Sequence, residues 1–521
     1  MSITESPEII TSAQPDSKTR RYDRQLRLWA SSGQTLLEES RILVLSSSAT
    51  STSILKNLVL PGIGHFTILD DAITSAADAG NNFFLEGPSS VGKHRAAEAV
   101  RLLGELNDGV TGEAVTSIPV ASVVSSLDFL SKFTLIITHN LPPSQLETLS
   151  DTLWPLPTAP ALLAVSSSGF LAELFIQHHP HPIIESHTET PPSLRIYDPF
   201  PALLEHSKSL KLSDMDPTEH AHIPYIPILI HARSLVPHIP KTQEEKNAFK
   251  ALILSLKFKQ DEENFDEAHA QAYRVWTSTS LPSALTQDIF PHLDTKLAPP
   301  AIPGTVHSLL TALKRFTERE SHVLPVSPAL PDMKASTETY IHLQRIYKDQ
   351  FNADKEVFKS LIPANTGDIP DDLIETFIRN AHGVQVFVGE KWGAFDKDVT
   401  RVGEAMAANP KDTSVHLALR AVREVLERSG TGETANAKVS AEEIKTRIAG
   451  MLPPGTELGE EIDEAVGEIT RSPTADLPNT AAMLGGLVAQ EAIKMITRQY
   501  VPQGGYCIVD CIDMRTGVVG L

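Results

Sequence analysis

Residues 41–71 read RILVLSSSATSTSILKNLVLPGIGHFTILDD, and this stretch decides the fold. Apolar runs over residues 42–45 and 65–69 predict two strands, and the amphipathic stretch over residues 53–60 predicts a helix between them. In such βαβ units, the turn after the first strand usually contains glycines that let the backbone approach the phosphates of a nucleotide. Here the turn, residues 46–52, consists of serine, threonine and alanine and has no glycine.

The sequence around this unit continues the alternation of strands and helices. The pattern predicts a helix over residues 91–106, a buried strand over 133–140 and two strands over 161–177. Near-continuous apolar strands of this kind indicate a parallel sheet with both faces covered. The helix near the C-terminus contains Gly485 and Gly486, each costing about 1 kcal/mol against alanine, so we expect close backbone packing there, against the sheet.

The composition and periodicity of the sequence change twice along the chain, which predicts a discontinuous domain. Residues 1–18 lack the apolar core of a signal peptide and indicate a solvated tail. We expect an α/β domain over residues 19–177 and 473–521. The segment between them, residues 178–472, shows helical periodicity and proline-bearing joints, and we expect a large, mostly helical insertion.

The composition is that of a globular protein with more than one domain. A chain of 521 residues is too long for one ordinary core, and 41% hydrophobic content is typical of folded proteins. The net charge of −20 opposes non-specific nucleic-acid binding, which needs a basic surface. Two cysteines exclude a disulfide framework, and no apolar run is long enough for a membrane span. We expect a cytoplasmic or nuclear protein without nucleic-acid or membrane partners.

Three segments together carry a resemblance to a known family. They are KTRRYDRQLRLW (18–29), ILKNLVLPGIGHFTILDD with DAGNNFFLEGPSSVGKHRAAEA (54–71 and 78–99), and AAMLGGLVAQEAIKMITRQY (481–500). They resemble the Rossmann-like ThiF/MoeB-type adenylation fold of enzymes that activate ubiquitin-like proteins and of their bacterial sulfur-carrier relatives. The chain is most similar to the regulatory subunits of the heterodimeric activating enzymes of the neddylation (Nedd/Rub) pathway.

The insertion carries the same resemblance, in the segments IIESHTET (183–190), IPKTQEEK (239–246) and LPDMKASTETYIHLQ (330–344). The corresponding subunit for the SUMO modifier is similar at the N-terminus but much shorter. Length therefore favours the neddylation family.

The resemblance implies that the adenylation domain is inactive. Members that bind ATP have a glycine-rich turn, an Arg-Gln pair before Phe-Leu, and an aspartate that holds Mg²⁺. This chain has the glycine-free turn, Asn82 and Phe83 at the pair, and His139 at the aspartate position. Imidazole is a poor ligand for a hard cation that prefers oxygen. We expect no cofactor and no metal on this chain, with ATP and Mg²⁺ bound by a partner subunit.

Some fragments of a nucleotide site remain in the sequence. Asp70 ends the second strand, where a ribose-binding carboxylate usually lies, and Lys93 follows Gly92. Residues 87–94 do not match a phosphate loop, because His94 stands where the loop requires serine or threonine. We interpret Asp70 and Lys93 as structural residues that form ion pairs or face solvent, and we expect the serine turn to cap the following helix.

The second catalytic step of the family, transfer to a cysteine in the insertion, also lacks its residue. The only cysteines are Cys507 and Cys511, in a predicted C-terminal strand where core or edge packing is favoured over a nucleophile or metal ligand. A histidine cluster invites comparison with zinc sites, but its prolines favour a surface loop. The cluster comprises His178, His179, His181 and His187.

The resemblance also implies residues that act on a partner. The YDRQ segment places Arg24 where the family has an arginine that reaches the ATP phosphates of the partner's active site; the alternative is a surface arginine that pairs with Asp23 or a neighbour. A second segment of this chain resembles the part of the family that contacts the catalytic subunit. The alternative is that this segment is an ordinary loop–helix junction. Its candidate interface residues are Pro331, Asp332, Met333, Tyr340 and Gln344.

The expected function is that of a regulatory subunit that is not active alone. With a cysteine-bearing catalytic subunit, it would activate a Nedd/Rub-type modifier for transfer to a conjugating enzyme. Two alternatives stay open: a self-sufficient adenylating enzyme with a degenerate phosphate loop, and a nucleotide-free scaffold protein.

Overall fold

The computed structural model describes residues 16–186, 191–319, 322–430 and 438–521. The strands of these residues, in chain order, are β1 (Arg41–Leu45), β2 (His65–Leu69), β3 (Thr111–Val115), β4 (Leu135–His139), β5 (Ala161–Ser168), β6 (Leu171–Gln177), β7 (His181–Ile183), β8 (Gln385–Phe387), β9 (Tyr506–Asp510) and β10 (Arg515–Val519).

The helices, in chain order, are α1 (Ser17–Arg21), α2 (Asp23–Glu39), α3 (Ala49–Val59), α4 (Ala76–Asn81), α5 (Arg95–Gly104), α6 (Leu127–Leu130), α7 (Pro143–Leu153), α8 (Pro201–Ser209), α9 (Pro217–His220), α10 (Tyr225–Ser234), α11 (Gln243–Ser255), α12 (Glu263–Gln271), α13 (Gly304–Thr317), α14 (Thr337–Leu361), α15 (Asp371–Arg379), α16 (Val399–Ala408), α17 (Pro410–Ser429), α18 (Ala441–Ala449), α19 (Glu460–Arg471) and α20 (Pro478–Thr497). Within the described residues, none of them is both long and apolar enough to cross a membrane.

The chain divides into two compact units. The sheet unit comprises the residues up to His179 together with Val388–Leu521, and the helical unit comprises Pro180–Phe387. The chain thus returns to the sheet unit at Val388 rather than at residue 473. The reason is that α17, α18 and α19 share one buried apolar cluster with β6, β9 and β10.

The sheet unit contains an eight-stranded sheet in the order β10-β9-β6-β5-β4-β1-β2-β3. The five strands from β5 to β3 are parallel, as expected, and form the α/β core. The strands β6, β9 and β10 are antiparallel, which corrects the expectation of a wholly parallel sheet. Only Gly169 and Phe170 separate β5 from β6, and a two-residue connection can join only antiparallel strands.

Apolar side chains cover both faces of this sheet. On one face, β1, β2, β4, β5, β6 and β9 pack against α3, α5 and α20. On the other face, β1, β2, β4 and β5 pack against α6 and α7, and the antiparallel strands pack against α17 to α19. The expected helix over residues 53–60 begins earlier, at Ala49, because Ser48 caps it.

The close glycine contact predicted for α20 is made with α3 rather than with the sheet. A Cβ on the buried Gly485 would lie 2.3 Å from Ser53 Oγ and 2.9 Å from the Ser53 carbonyl carbon. A Cβ on Gly486 would meet nothing within 4 Å. Only the first of the two glycines therefore has a packing reason.

The helical unit contains α8 to α15 and the short antiparallel pair β7–β8. Its helices enclose two apolar clusters. One involves α8, α10, α11, α12 and α14, and the other involves α13, α14 and α15. The mostly helical character expected for this part of the insertion agrees with this architecture.

Candidate functional site

The crevice at the carboxyl ends of β1, β2 and β4 is where a nucleotide would bind in this type of sheet. Asp70, at the end of β2, accepts hydrogen bonds from Ser47 N and from Arg95 Nε, both at 2.6 Å. Asp70 is 4% exposed and Arg95 is 8% exposed, so this is a buried ion pair. The carboxylate is fully engaged within the chain, which agrees with the interpretation of Asp70 as a structural residue.

The N-terminus of α3, where a phosphate would normally lie, is closed by side chains of the chain itself. Ser48 Oγ accepts a hydrogen bond from Ser51 N at 3.1 Å, so the serine turn caps the helix as predicted. The carboxylate of Asp476 accepts from Thr50 N at 3.1 Å and from Thr50 Oγ1 at 2.6 Å. An internal anion therefore occupies the favourable position at the helix N-terminus.

Asn82 joins the turn to the loop after α4. Its Oδ1 accepts from Thr52 Oγ1 at 2.8 Å and from Phe84 N at 2.9 Å, and its Nδ2 donates to Ser47 O at 3.2 Å. The neighbouring Phe83 is 89% exposed. Asn82 thus holds the turn in place through three hydrogen bonds.

His139 is buried at the end of β4, and both of its ring nitrogens are engaged. Nδ1 lies 2.8 Å from Ser48 Oγ, and Nε2 lies 2.8 Å from Ser167 Oγ. No group of three or more His, Cys, Asp or Glu side chains suited to a metal ion occurs among the described residues. His139 therefore connects the N-cap of α3 to β4 and β5.

The remaining space in the crevice is a cavity of about 230 Å³. Arg95 and His139 line it, as does Arg423 of α17, which donates to Ser167 O. Lys93 lies outside the cavity, with its Nζ 3.5 Å from Glu98. The backbone N–H groups of Ser47 and Thr50 are already bonded to carboxylates of the chain itself, those of Asp70 and Asp476.

Replacing Asp476 with alanine is expected to expose the N-terminus of α3. Loss of a capping carboxylate typically costs about 1–2 kcal/mol. Hydrogen exchange should therefore accelerate in a peptide that contains Thr50 and Ser51, and the thermal midpoint should fall. The control is Glu464→Ala, which removes the same charge from an exposed position of α19. Equal exchange in the two variants would contradict the capping role.

Arg24 lies in the first turn of α2, on a segment that is anchored to the sheet unit. Tyr22 is 6% exposed and accepts a hydrogen bond from Asn107 Nδ2 at 3.0 Å. Asp23 pairs with Arg27 at 3.0 Å and not with Arg24. The Arg24 side chain is exposed and makes no ion pair with any described residue, so its guanidinium is available to another molecule.

The candidate interface residues lie in the helical unit, around the start of α14. Pro331, Asp332 and Gln344 are exposed, and Met333 is partly buried against the apolar cluster. The Tyr340 hydroxyl donates to Leu330 O at 3.3 Å. The structure holds this segment in place and leaves part of it open, and it also exposes Ile341 (57%), which the sequence had not singled out.

The cysteines are placed as expected for packing residues. Cys507 is buried in the cluster between the sheet and α20, and Cys511 is partly buried, 3.6 Å from Met483 Sδ. Burial raises the pKa of the Cys507 thiol to about 11, so it stays protonated at neutral pH. Neither has the environment of a reactive thiol.

The histidine cluster does not form a surface loop. His178 and His181 are 5% and 7% exposed, and His179 stacks on Trp154 with 4.4 Å between ring centroids. Burial lowers the pKa of His178 and of His179. His187 lies outside the described residues. The expectation of exposure is wrong for His178 and His181 because the chain passes from the sheet into β7 at this point.

The sequence analysis missed Arg95 and Asp476, which bond to Asp70 and to Thr50 at the crevice. Arg95 follows a near-match to a phosphate loop, which could have directed attention to it. Asp476 gave no local signal, because it lies 426 residues from Thr50.

Comparisons with known proteins give one consistent result. The chain is 34% identical over 514 residues to the NEDD8-activating enzyme E1 regulatory subunit of Xenopus laevis, covering 93% of this chain and 95% of that protein. It is 32% identical to the regulatory subunit of the same name from Danio rerio, with 93% and 95% covered. It is also 32% identical to the regulatory subunit AXL of Arabidopsis thaliana, with 97% and 99% covered.

No family model matches the sequence. A solved structure of the E. coli tRNA N6-threonylcarbamoyladenosine dehydratase TcdA with AMP covers 31% of this chain and 63% of its own, at 15% identity. Its TM-score of 0.27 is too low to support an argument. Identity of 34% across 93% of the chain is decisive by itself. The protein belongs to the family of NEDD8-activating enzyme E1 regulatory subunits.

Proposed function

We propose that this chain is the non-catalytic half of a heterodimer with a cysteine-bearing subunit, and that the pair activates a NEDD8-type modifier. The observation that carries the proposal is a contrast within the sheet unit, between the crevice at the strand ends and the Arg24 side chain. In the crevice, Asp476 bonds to the N-terminus of α3 and Arg95 pairs with Asp70, whereas Arg24 is exposed and unpaired among the described residues.

In this proposal the partner binds ATP, Mg²⁺ and the C-terminus of the modifier, and it carries the thioester that passes to a conjugating enzyme. Arg24 crosses to the partner and donates hydrogen bonds to the phosphates. Its planar, permanently charged guanidinium can stabilise the negative charge that develops during adenylation. The exposed residues around Pro331 and Gln344 supply a second contact with the partner.

The proposal extends to the surroundings of the complex. The charge of −20 supports a protein without nucleic-acid partners, because nucleic acid would be repelled. We place the heterodimer in the cytoplasm, the nucleus or both, without a membrane partner.

Replacing Arg24 with alanine is expected to slow modifier adenylation by the reconstituted heterodimer at least about tenfold, because a charge-stabilising donor is lost. Arg24→Lys should recover only part of the rate, since an ammonium group cannot form the bidentate contact. The rate is measured by ATP–pyrophosphate exchange in the presence of the modifier. The two subunits should still co-purify.

Arg27→Ala is the matched control, because Arg27 is an exposed arginine of the same helix that pairs with Asp23. Equal rates for the Arg24 and Arg27 variants would remove the in-trans role. Exchange activity of the isolated chain would favour the self-sufficient enzyme. Failure of the chain to bind a cysteine-bearing partner would favour the scaffold.

A further inference from the structure

The helical unit contains a buried arginine in which two guanidinium nitrogens lack hydrogen-bond partners. Arg195 is 9% exposed, and its Nε and Nη1 are buried without a hydrogen bond. The Asp198 carboxylate lies 4.0 Å from Nη1, beyond hydrogen-bonding distance. A buried guanidinium in this state is costly, and such groups call for an explanation by a bound ion, water or ligand.

The backbone at Arg195 is also unusual. Its φ of 56° lies in the left-handed region, which a residue with a Cβ adopts at a cost. The Arg195 N–H is fixed by a hydrogen bond of 3.2 Å to Ser193 Oγ. Non-glycine residues held in this conformation are concentrated at ligand-binding and active sites. The backbone conformation and the two nitrogens without hydrogen bonds are therefore two separate signs at one residue.

Arg195 lines a cavity of about 270 Å³ that is basic within an acidic protein. Arg274, Arg379 and His382 also line it, and none of its described lining residues is an aspartate or glutamate. The whole chain has a net charge of −20, whereas the described wall of this cavity has three arginines and no carboxylate.

The arginines of the cavity wall differ in whether a carboxylate of the chain already pairs with them. Arg379 pairs with Glu375 at 2.8 Å, outside the lining. Arg274 donates to Gln271 Oε1 at 2.7 Å and lies over the ring of Tyr273, and no carboxylate pairs with it among the described residues. Burial lowers the pKa of His382, so it is a neutral ring at pH 7. The Asp198 and Asp354 carboxylates, which lie outside this lining, interact with the Arg195 guanidinium, so Arg274 carries the charge that no carboxylate pairs with among the described residues.

The rest of the cavity wall is apolar or carries hydroxyl groups. Pro192, Pro282 and Pro325 provide rigid apolar surface, and Thr277 to Ser280 provide a run of hydroxyls. An apolar wall with a few converging polar groups is typical of small-molecule sites. The volume suits a compact organic molecule rather than a protein segment.

From these features we propose that the Arg195 cavity binds a small organic anion through a phosphate or carboxylate group. Arginine presents a planar fork that matches either oxyanion. Because Nε and Nη1 have no exposed surface, the Arg195 side chain would turn toward the ligand to gain the hydrogen bonds that these two nitrogens lack, and Arg274 would supply the second charge. This site lies wholly within the helical unit and does not depend on the role proposed for Arg24.

The test is isothermal titration of the full chain with phosphate, with phosphoglycolate and with succinate, at ionic strength held constant with potassium chloride. Saturable binding of at least one of them, with a matching rise in the thermal midpoint, is expected. Phosphate and phosphoglycolate binding without succinate binding would assign a phosphate group, and the reverse would assign a carboxylate. No saturation by any of the three at tens of millimolar would overturn the proposal.

Two variants locate the site. Arg195→Met should abolish binding, and Arg274→Met should weaken it at least about fivefold while leaving a folded chain, because Arg274 is only partly buried. Arg345→Met is the control, since Arg345 is an exposed arginine of α14 outside the cavity. If Arg195→Met does not fold, the Arg274 variant decides. Wild-type affinity in Arg274→Met, or equal losses in Arg274→Met and Arg345→Met, would contradict the site.

Discussion

Replacing His416 with alanine is expected to destabilise the sheet unit by about 3–5 kcal/mol, since it would break a buried ion pair and leave carboxylates without a partner. His416 Nδ1 lies 2.7 Å from Glu173 Oε2, and Nε2 lies 2.7 Å from Asp396 Oδ1. Asp396 also accepts from the Tyr506 hydroxyl at 2.8 Å and pairs with Arg420 at 3.1 Å. This group connects β6, α17 and β9 to the loop before α16.

The pH dependence of this group has a definite sign. Burial would lower the pKa of His416, but Glu173 and Asp396 raise it to about 9, against about 6.5 in an unfolded chain. Its contribution is fully present below pH 6.5 and is lost as pH rises through about 9. Burial would raise the pKa of Asp396, but His416 and Arg420 hold it well below its usual range, so its contribution is lost only in strong acid.

The thermal midpoint of the wild type should therefore fall between pH 6.5 and pH 9 by more than that of His416→Ala. His238→Ala is the matched control, because His238 pairs with Glu245 at 3.2 Å on the exposed surface, where such pairs contribute at most about 1 kcal/mol. The double variant His416→Leu with Glu173→Leu should recover part of the loss, because it removes the buried charges of His416 and Glu173 together while Asp396 keeps its pair with Arg420. If His416→Ala lowers the stability no more than His238→Ala does, the group around His416 is not a stabilising network.

Local patterns in the sequence predicted the parts of the fold that local forces determine. The βαβ unit follows from apolar runs with the periods of strands and helices. The serine-rich turn predicted a cap for the following helix, and Ser48 provides that cap. The helical character of the insertion followed from the same kind of pattern. Each of these features depends on residues within a few turns of one another.

The features that the sequence did not predict join distant positions. Asp476 reaches Thr50 across 426 residues, and His416 reaches Glu173 across 243. The return of the chain at Val388 depends on which surface α17 covers, and helical periodicity does not specify a partner for the apolar face. The sequence therefore predicted that the crevice lacks the family's catalytic groups. It did not predict which distant residues bond to one another there.

Replacing Gly485 with alanine is expected to destabilise the sheet unit by about 1–3 kcal/mol, although alanine is the better helix former. The new Cβ would lie 2.9 Å from both the Ser53 carbonyl carbon and its Cβ, so α20 and α3 must separate. Part of this strain involves backbone and cannot be relieved by rotating the Ser53 hydroxyl. The thermal midpoint should fall.

Gly486→Ala is the matched control and should have the opposite sign. Gly486 is exposed on the same helix, and a Cβ there meets nothing within 4 Å. Alanine should stabilise the helix by up to about 1 kcal/mol, so the midpoint should rise. Packing alone would thus make the two substitutions differ in sign, although the sequence does not distinguish the two glycines. If both substitutions raise the midpoint, the α3–α20 contact is looser than the structure has it, and propensity alone governs both positions.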